Sequence, residues 1–331
     1  MRPRLLLALL VLLPAVPLVL AGCGSDDAAA DDGRPTVVVT TSILGDVVEE
    51  LVGGAARVEV VMPNGADPHD FQPSAREVNA MRSADALVTN GGGFEAGLEP
   101  TIVAAEEDVP TVHALDHVAV LPFGEAGHDD EHADEEDEAA AAGDEHGHSH
   151  DHGGDDPHFF TDPDRVADAA EGIAEFLADE VPALATAEVA ARAVAYVAEL
   201  RALAAEVEDT LAPIPADRRV IITNHEVFGY FADRYGFEVV GAVVPGGGTG
   251  AEPSAGELDE LAHVIEEEGV PAIFADASSP ARLAETLAAE VGTDVEVVSL
   301  FTEALGADGS GGETYVEMVR TNAERIVEAL G

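Results

Sequence analysis

Three histidines stand among turn-forming and acidic residues, a setting in which imidazole nitrogen binds metal ions. His69 lies in Asn64-Gly65-Ala66-Asp67-Pro68-His69-Asp70-Phe71, and His158 in Asp156-Pro157-His158-Phe159-Phe160-Thr161-Asp162-Pro163. His225 lies in Asn224-His225-Glu226-Val227-Phe228-Gly229, and a carboxylate, Glu303, in Leu300-Phe301-Thr302-Glu303-Ala304-Leu305. Imidazole and carboxylate together suit Zn2+, with Mn2+ or Fe2+ as competitors. Taken singly, each histidine is an ordinary surface or capping residue, and Glu303 could simply charge the first turn of a helix. Their meaning depends on whether the chain brings them together.

The pattern around them says that it does. From residue 36, short β-branched runs alternate with helical segments. The first half offers 36–40 (TVVVT), 57–62 (RVEVVM), 86–89 (ALVT) and 110–113 (PTVH). The second offers 219–223 (RVIIT), 237–244 (FEVVGAVV), 272–275 (AIFA) and 294–300 (DVEVVSL). Leu258, Leu261 and Ile265 share one helical face; Tyr315, Val319, Ala323, Ile326 and Leu330 share another. Such alternation predicts an α/β protein of two lobes, each a four-stranded parallel sheet flanked by helices. The lobes are 36–185 and 212–331. In open α/β sheets ligands bind beyond the carboxyl ends of strands, where all four residues fall, two from each lobe.

Residues 186–211 join the lobes. They contain no glycine or proline, and their apolar positions are Val189, Val194, Val197, Leu200, Leu203, Val207 and Leu211. About 26 residues at about 1.5 Å each make one linker helix of roughly 39 Å, ended by Pro213 and Pro215. A single rod of this kind resists large hinge motion.

Residues 124–156 break the pattern. His128, His132, His146, His148, His150 and His152 stand there among fourteen acids, with no apolar periodicity. A disordered insert is expected, acting as a low-affinity accessory zinc collector; a plain solvated loop and a copper or nickel trap are the alternatives. His113 and His117 fall in a loop and His263 on a helix, beside Leu261 and Val264 at the boundary of its apolar face, and none is assigned. Gly246-Gly247-Gly248 reads as a flexible surface loop.

At the start, Arg2 and Arg4 precede the apolar run 5–20, which ends in Ala21-Gly22-Cys23. That is a secretory signal over 1–22, and Leu20-Ala21-Gly22-Cys23 looks like a lipobox in which Cys23 is acylated and anchored in membrane lipid. Residues 23–35 follow as a flexible acidic tether. Cys23 is the only cysteine, which excludes disulfides and cysteine zinc sites. The net charge is −51 and all 15 basic residues are arginine, which excludes nucleic acid as a partner. No HExxH, nucleophile elbow or phosphate loop argues for an enzyme.

Residues 40–44 (TTSIL), 64–73 (NGADPHDFQP), 90–95 (NGGGFE), 156–163, 224–231 and 252–254 (EPS) closely resemble, in order and spacing, the zinc- and manganese-binding receptors of bacterial ABC importers. This is the cluster A-I solute-binding family, which includes zinc receptors with a histidine-rich loop. The resemblance implies two α/β lobes bridged by a rigid helix, with the metal buried between them. It implies His69, His158 and His225 as ligands, and Glu303 at a fourth position where the family varies between Asp, Glu and water. Asp276 is the lesser candidate for that position. The expected protein is a monomeric lipoprotein on the outer face of the membrane, delivering Zn2+ to an ABC permease. The chain departs from some zinc receptors in lacking a second-lobe disulfide. Manganese receptors of this kind generally use two histidines, so His225 favours zinc over the Mn2+ alternative.

Overall fold

The computed structural model describes residues 33–123, 154–244, 246, 248–249, 253–278, 281–291 and 295–331. Residues 1–32, with Cys23, and the six histidines from His128 to His152 lie outside them.

The first lobe holds β1 (Thr36–Val39), β2 (Arg57–Val60), β3 (Ala86–Thr89) and β4 (Thr111–His113), all parallel in the order β2-β1-β3-β4. Its helices are α1 (Ser42–Val52), α2 (Ala75–Arg82), α3 (Glu99–Glu106) and α4 (Pro163–Glu180). After α5 (Ala187–Leu211), the second lobe repeats the arrangement. Its strands β5 (Val220–Thr223), β6 (Glu238–Ala242), β7 (Ala272–Asp276) and β8 (Glu296–Leu300) run parallel in the order β6-β5-β7-β8. Its helices are α6 (Gly229–Tyr235), α7 (Ala255–Glu268), α8 (Arg282–Val291) and α9 (Tyr315–Leu330). Val37, Val38 and Val39 are buried on both faces of the first sheet, as a central parallel strand requires.

The strands begin or end slightly inside most of the β-branched runs. The run 237–244 yields a strand over Glu238–Ala242, and beyond its end Val243 and Val244 still donate their N–H groups to Thr223 O and Asn224 O. Helix α5 is capped by the Thr186 hydroxyl, which accepts the Val189 N–H. Its buried stripe is Val189, Ala193, Tyr196, Leu200, Leu203, Ala204, Val207 and Leu211. Val194 differs from expectation at 72% exposed. Spacings of four and three along the helix put Ala193 on the buried side and leave its neighbour outside.

One continuous apolar core includes Val37 and Val88 of the first lobe, Leu200 and Val207 of α5, and Tyr230, Phe274 and Met318 of the second. Burying each large side chain contributes roughly 1.5–3 kcal/mol. The lobes are therefore joined by packing as well as by the chain. Hydrogen bonds add to it: Tyr315 N–H donates to Asp46 at 2.9 Å and Leu305 N–H to the Ser42 hydroxyl at 3.0 Å.

Several expectations need correction. His113 closes β4, as the run 110–113 suggests and unlike the loop position also read for it, with Nδ1 2.6 Å from the Thr89 hydroxyl and Nε2 3.1 Å from Glu106. His117 belongs to a 3-10 turn packed on Gly172, where a Cβ would collide with its ring. His263 is exposed on α7. Gly246 and Gly248 are partly buried, and a Cβ on Gly248 would stand 3.9 Å from His69 Nδ1.

Candidate metal centre

Each ligand candidate is held by a turn that its own sequence dictates. Asp67-Pro68-His69 and Asp156-Pro157-His158 are the same device used twice. In each, the aspartate Oδ1 accepts the histidine backbone N–H two residues on, at 2.9 Å, and proline fixes the link between them. His225 follows β5 directly, and the Thr223 hydroxyl donates to its carbonyl at 2.7 Å. Glu303 leaves β8 three residues after the strand ends.

These turns bring the four side chains together. Their ligand-capable atoms all lie within 4.8 Å of one another. Around Glu303 Oε1 stand His69 Nε2 at 2.7 Å, His225 Nε2 at 3.0 Å and His158 Nε2 at 3.4 Å. His158, His225 and Glu303 are buried, and His69 is partly exposed. Phe94 meets the rings of His69 and His158 edge-on at 5.2 and 5.6 Å, and Phe160 and Phe123 meet His158 at 5.8 and 6.0 Å. The polar cluster thus sits in an aromatic wall.

The donor set suits a cation. His158 Nδ1 lies 2.7 Å from Asp156 Oδ1. With that nitrogen donating, neutral His158 presents a lone pair at Nε2, which is buried without a hydrogen-bond partner among the described residues. It faces a carboxylate oxygen that also carries lone pairs, so a positive charge is needed between them. In the metal-free protein a proton serves. Burial disfavours the imidazolium, but the adjacent Asp156 and Glu303 carboxylates outweigh that and raise the His158 pKa to about 9. Burial likewise acts against the Glu303 carboxylate, yet the three imidazoles hold it well below the usual range. A cation entering the cluster takes the place of the proton.

Asp276 is not one of the four. It is buried at the end of β7 and accepts from the Ser278 N–H and hydroxyl, and burial followed by the Glu303 charge raises its pKa. Asp67 and Glu226 do not bond the imidazole rings: Asp67 takes the backbone N–H of His69, and Glu226 donates its own N–H to Gly246 O.

Two residues escaped the sequence reading. Asp156, counted within the acidic insert, is the group that orients the His158 ring. Its N–H donates to Leu121 O at 2.8 Å, and Pro122 bridges Asp155, so the chain is already ordered there. Glu95 is buried and accepts from the Thr40 hydroxyl and Asn90 N–H, both at 2.6 Å, and from Gly91 N–H at 3.3 Å. Asn90 Nδ2 in turn donates to Pro157 O at 3.0 Å, so Glu95 ties the ends of β1 and β3 to the turn carrying His158. The glycine run before Glu95 was the available signal. Gly92 has φ +65, and a Cβ there would come within 2.6 Å of Leu115.

A family model described as ZnuA, zinc-uptake complex component A, periplasmic, matches residues 37–329. The chain is 32% identical over 320 residues to the zinc-binding protein TroA of Treponema pallidum, covering 93% of this chain and 92% of that protein. It is 29% identical over 317 residues to the manganese-binding lipoprotein MntA of Halalkalibacterium halodurans, covering 95% of each. The solved structure of periplasmic zinc-binding TroA from Treponema pallidum matches with a TM-score of 0.77 at 29% identity, covering 90% of this chain and 100% of that one.

Proposed function

This chain belongs to the family of the periplasmic zinc-uptake complex component A, and on that premise we propose that it is the extracytoplasmic receptor of an ABC-type metal importer, carrying Zn2+ on His69, His158, His225 and Glu303. The observation behind this is the meeting of three Nε2 atoms, one of them from the other lobe, around a single oxygen of Glu303. Zinc is cargo here. Three neutral imidazoles and one carboxylate would replace most of its waters in a near-tetrahedral set with one net positive charge. Asp156 holds one ring in the tautomer that binds, and the phenylalanine wall limits the water that could compete. Protons contend for the same nitrogens, so acid favours release.

A manganese receptor of the same build is the second reading. It is supported by the similarity to manganese-binding MntA and by the hard oxygen of Glu303. The third imidazole, His225, favours zinc, because added nitrogen suits the softer ion. The proposal includes acylation at Cys23, anchorage on the outer face of the membrane, and a permease as partner of the monomeric receptor. The Leu20-Ala21-Gly22-Cys23 sequence and the lipoprotein relatives support it. The six histidines between 128 and 152 are proposed as accessory low-affinity zinc ligands, on the strength of the alternating run from His146 to His152.

Elemental analysis of the purified protein, followed by competition titration of Zn2+ against Mn2+, tests the metal. One tightly held zinc per chain that Mn2+ fails to displace is expected. His69→Ala, His158→Ala and His225→Ala should each weaken it at least about 100-fold. A preference for Mn2+ overturns the zinc assignment, and full affinity in any variant overturns that ligand.

A further inference from the structure

His69 is the one member of the cluster whose side chain is open to solvent, at 11% against 0% for His158, His225 and Glu303. What covers its edge comes from the opposite lobe. Beyond β6 the backbone runs beside the segment carrying His225: Val243 N–H donates to Thr223 O at 2.9 Å, Val244 N–H to Asn224 O at 2.8 Å, and Glu226 N–H to Gly246 O at 3.1 Å. Beyond it, Gly248 and Thr249 stand across the cleft as a two-residue strap. A Cβ on Gly248 would stand 3.9 Å from His69 Nδ1, so this strap lies against the His69 ring. The Thr249 hydroxyl donates to Asp67 Oδ2 at 2.6 Å. The other oxygen of the same carboxylate accepts the His69 N–H at 2.9 Å.

We propose that Thr249 and Asp67 form a clasp across the cleft that holds the strap over His69 and sets how fast the bound cation leaves. Neither residue is a ligand; both are positioning residues. The proposal rests on the reading that the cleft carries Zn2+. One carboxylate shapes the turn presenting His69 and fastens the strap that shields it, so opening the clasp uncovers the ligand nearest water. A hydroxyl-to-carboxylate bond is stronger than a neutral one and is made only when the lobes are together. Its loss therefore acts on dissociation, while association changes little. Other ties between the lobes remain, including Asn64 Nδ2 to Gly306 O at 2.9 Å, so breaking the clasp does not part the lobes.

The test uses the full chain loaded with Zn2+, and follows transfer of the ion to excess chromophoric chelator by stopped flow. Zinc stoichiometry and thermal melting are measured alongside. Thr249→Val keeps the shape and removes the hydroxyl, and should speed release about 10-fold at unchanged stoichiometry, with the melting temperature of the zinc-free protein close to the parent's. Thr249→Ser restores the hydroxyl and should return the rate to within about 2-fold of the parent. Unchanged release from Thr249→Val overturns the clasp, and so does failure of Thr249→Ser to restore it, since packing alone would then be responsible. A parent protein that holds no zinc overturns the reading of the cleft itself, a result distinct from either.

Discussion

Asp156 shows how much a single carboxylate does at the residue scale. It shapes the turn at His158 through the backbone N–H and orients the ring through Nδ1. Asp156→Asn keeps the acceptor oxygen but removes the charge behind the imidazole. It should weaken zinc binding about 10-fold, measured by chelator competition, while melting stays close to the parent. The histidines themselves were legible because each stands among turn-forming and acidic residues somewhere after a β-branched run. Asp156 was not, since acids on its N-terminal side make it look like more of the same tract. Glu95 was hidden for another reason: its three partners come from Thr40, Asn90 and Gly91, a convergence created by sheet pairing.

Among the elements, α5 gives the sharpest contrast. Leu200 is 0% exposed and Val194 is 72% exposed. Leu200→Ala should cost about 2–5 kcal/mol in chemical denaturation, the range for emptying a packed leucine site. Val194→Ala should change stability by less than about 0.5 kcal/mol. The absence of glycine and proline gave the helix its length and its ends, but counting valines and leucines did not give its face, because Ala193 and Tyr196 carry part of the buried stripe. The strands were easier, since parallel strands covered on both sides need unbroken β-branched runs such as Val37-Val38-Val39. The strap after β6 was not legible, because glycines carry no pattern and its importance comes from Asp67, 182 residues away from Thr249.

Across the whole molecule, the two-lobed plan followed from strand and helix alternation, whereas the bonds between lobes did not. Asp46 of α1 accepts the first N–H of α9, from Tyr315. Burial, joined by the charges of Glu50, Glu49 and Glu317, raises its pKa from 3.8 to about 6, against the opposing pull of that N–H. Above about pH 6 the group is charged in both folded and unfolded chains, and the folded state bears the cost. As pH falls from 6 toward 3.8 the folded state takes up its proton first, so this contribution to stability grows with acidity and is smallest above pH 6. Asp46→Asn retains an acceptor for Tyr315 and should raise the melting temperature at pH 7.5 by roughly 2–4 °C. The gain should vanish near pH 4. Thermal melts at both pH values decide it.

The short stem before His158 has a practical consequence. Phe123 N–H reaches Gly154 O at 3.1 Å, and Tyr230 of the second lobe clips both sides by accepting from Leu121 N–H and donating to Asp156 O. Residues 123 and 154 therefore leave the body side by side. Doubling the length of whatever joins them costs only about 0.6 kcal/mol of closure entropy. The stem is a socket for exchange: a reporter domain spliced there would sit one aromatic ring, Phe123, from His158.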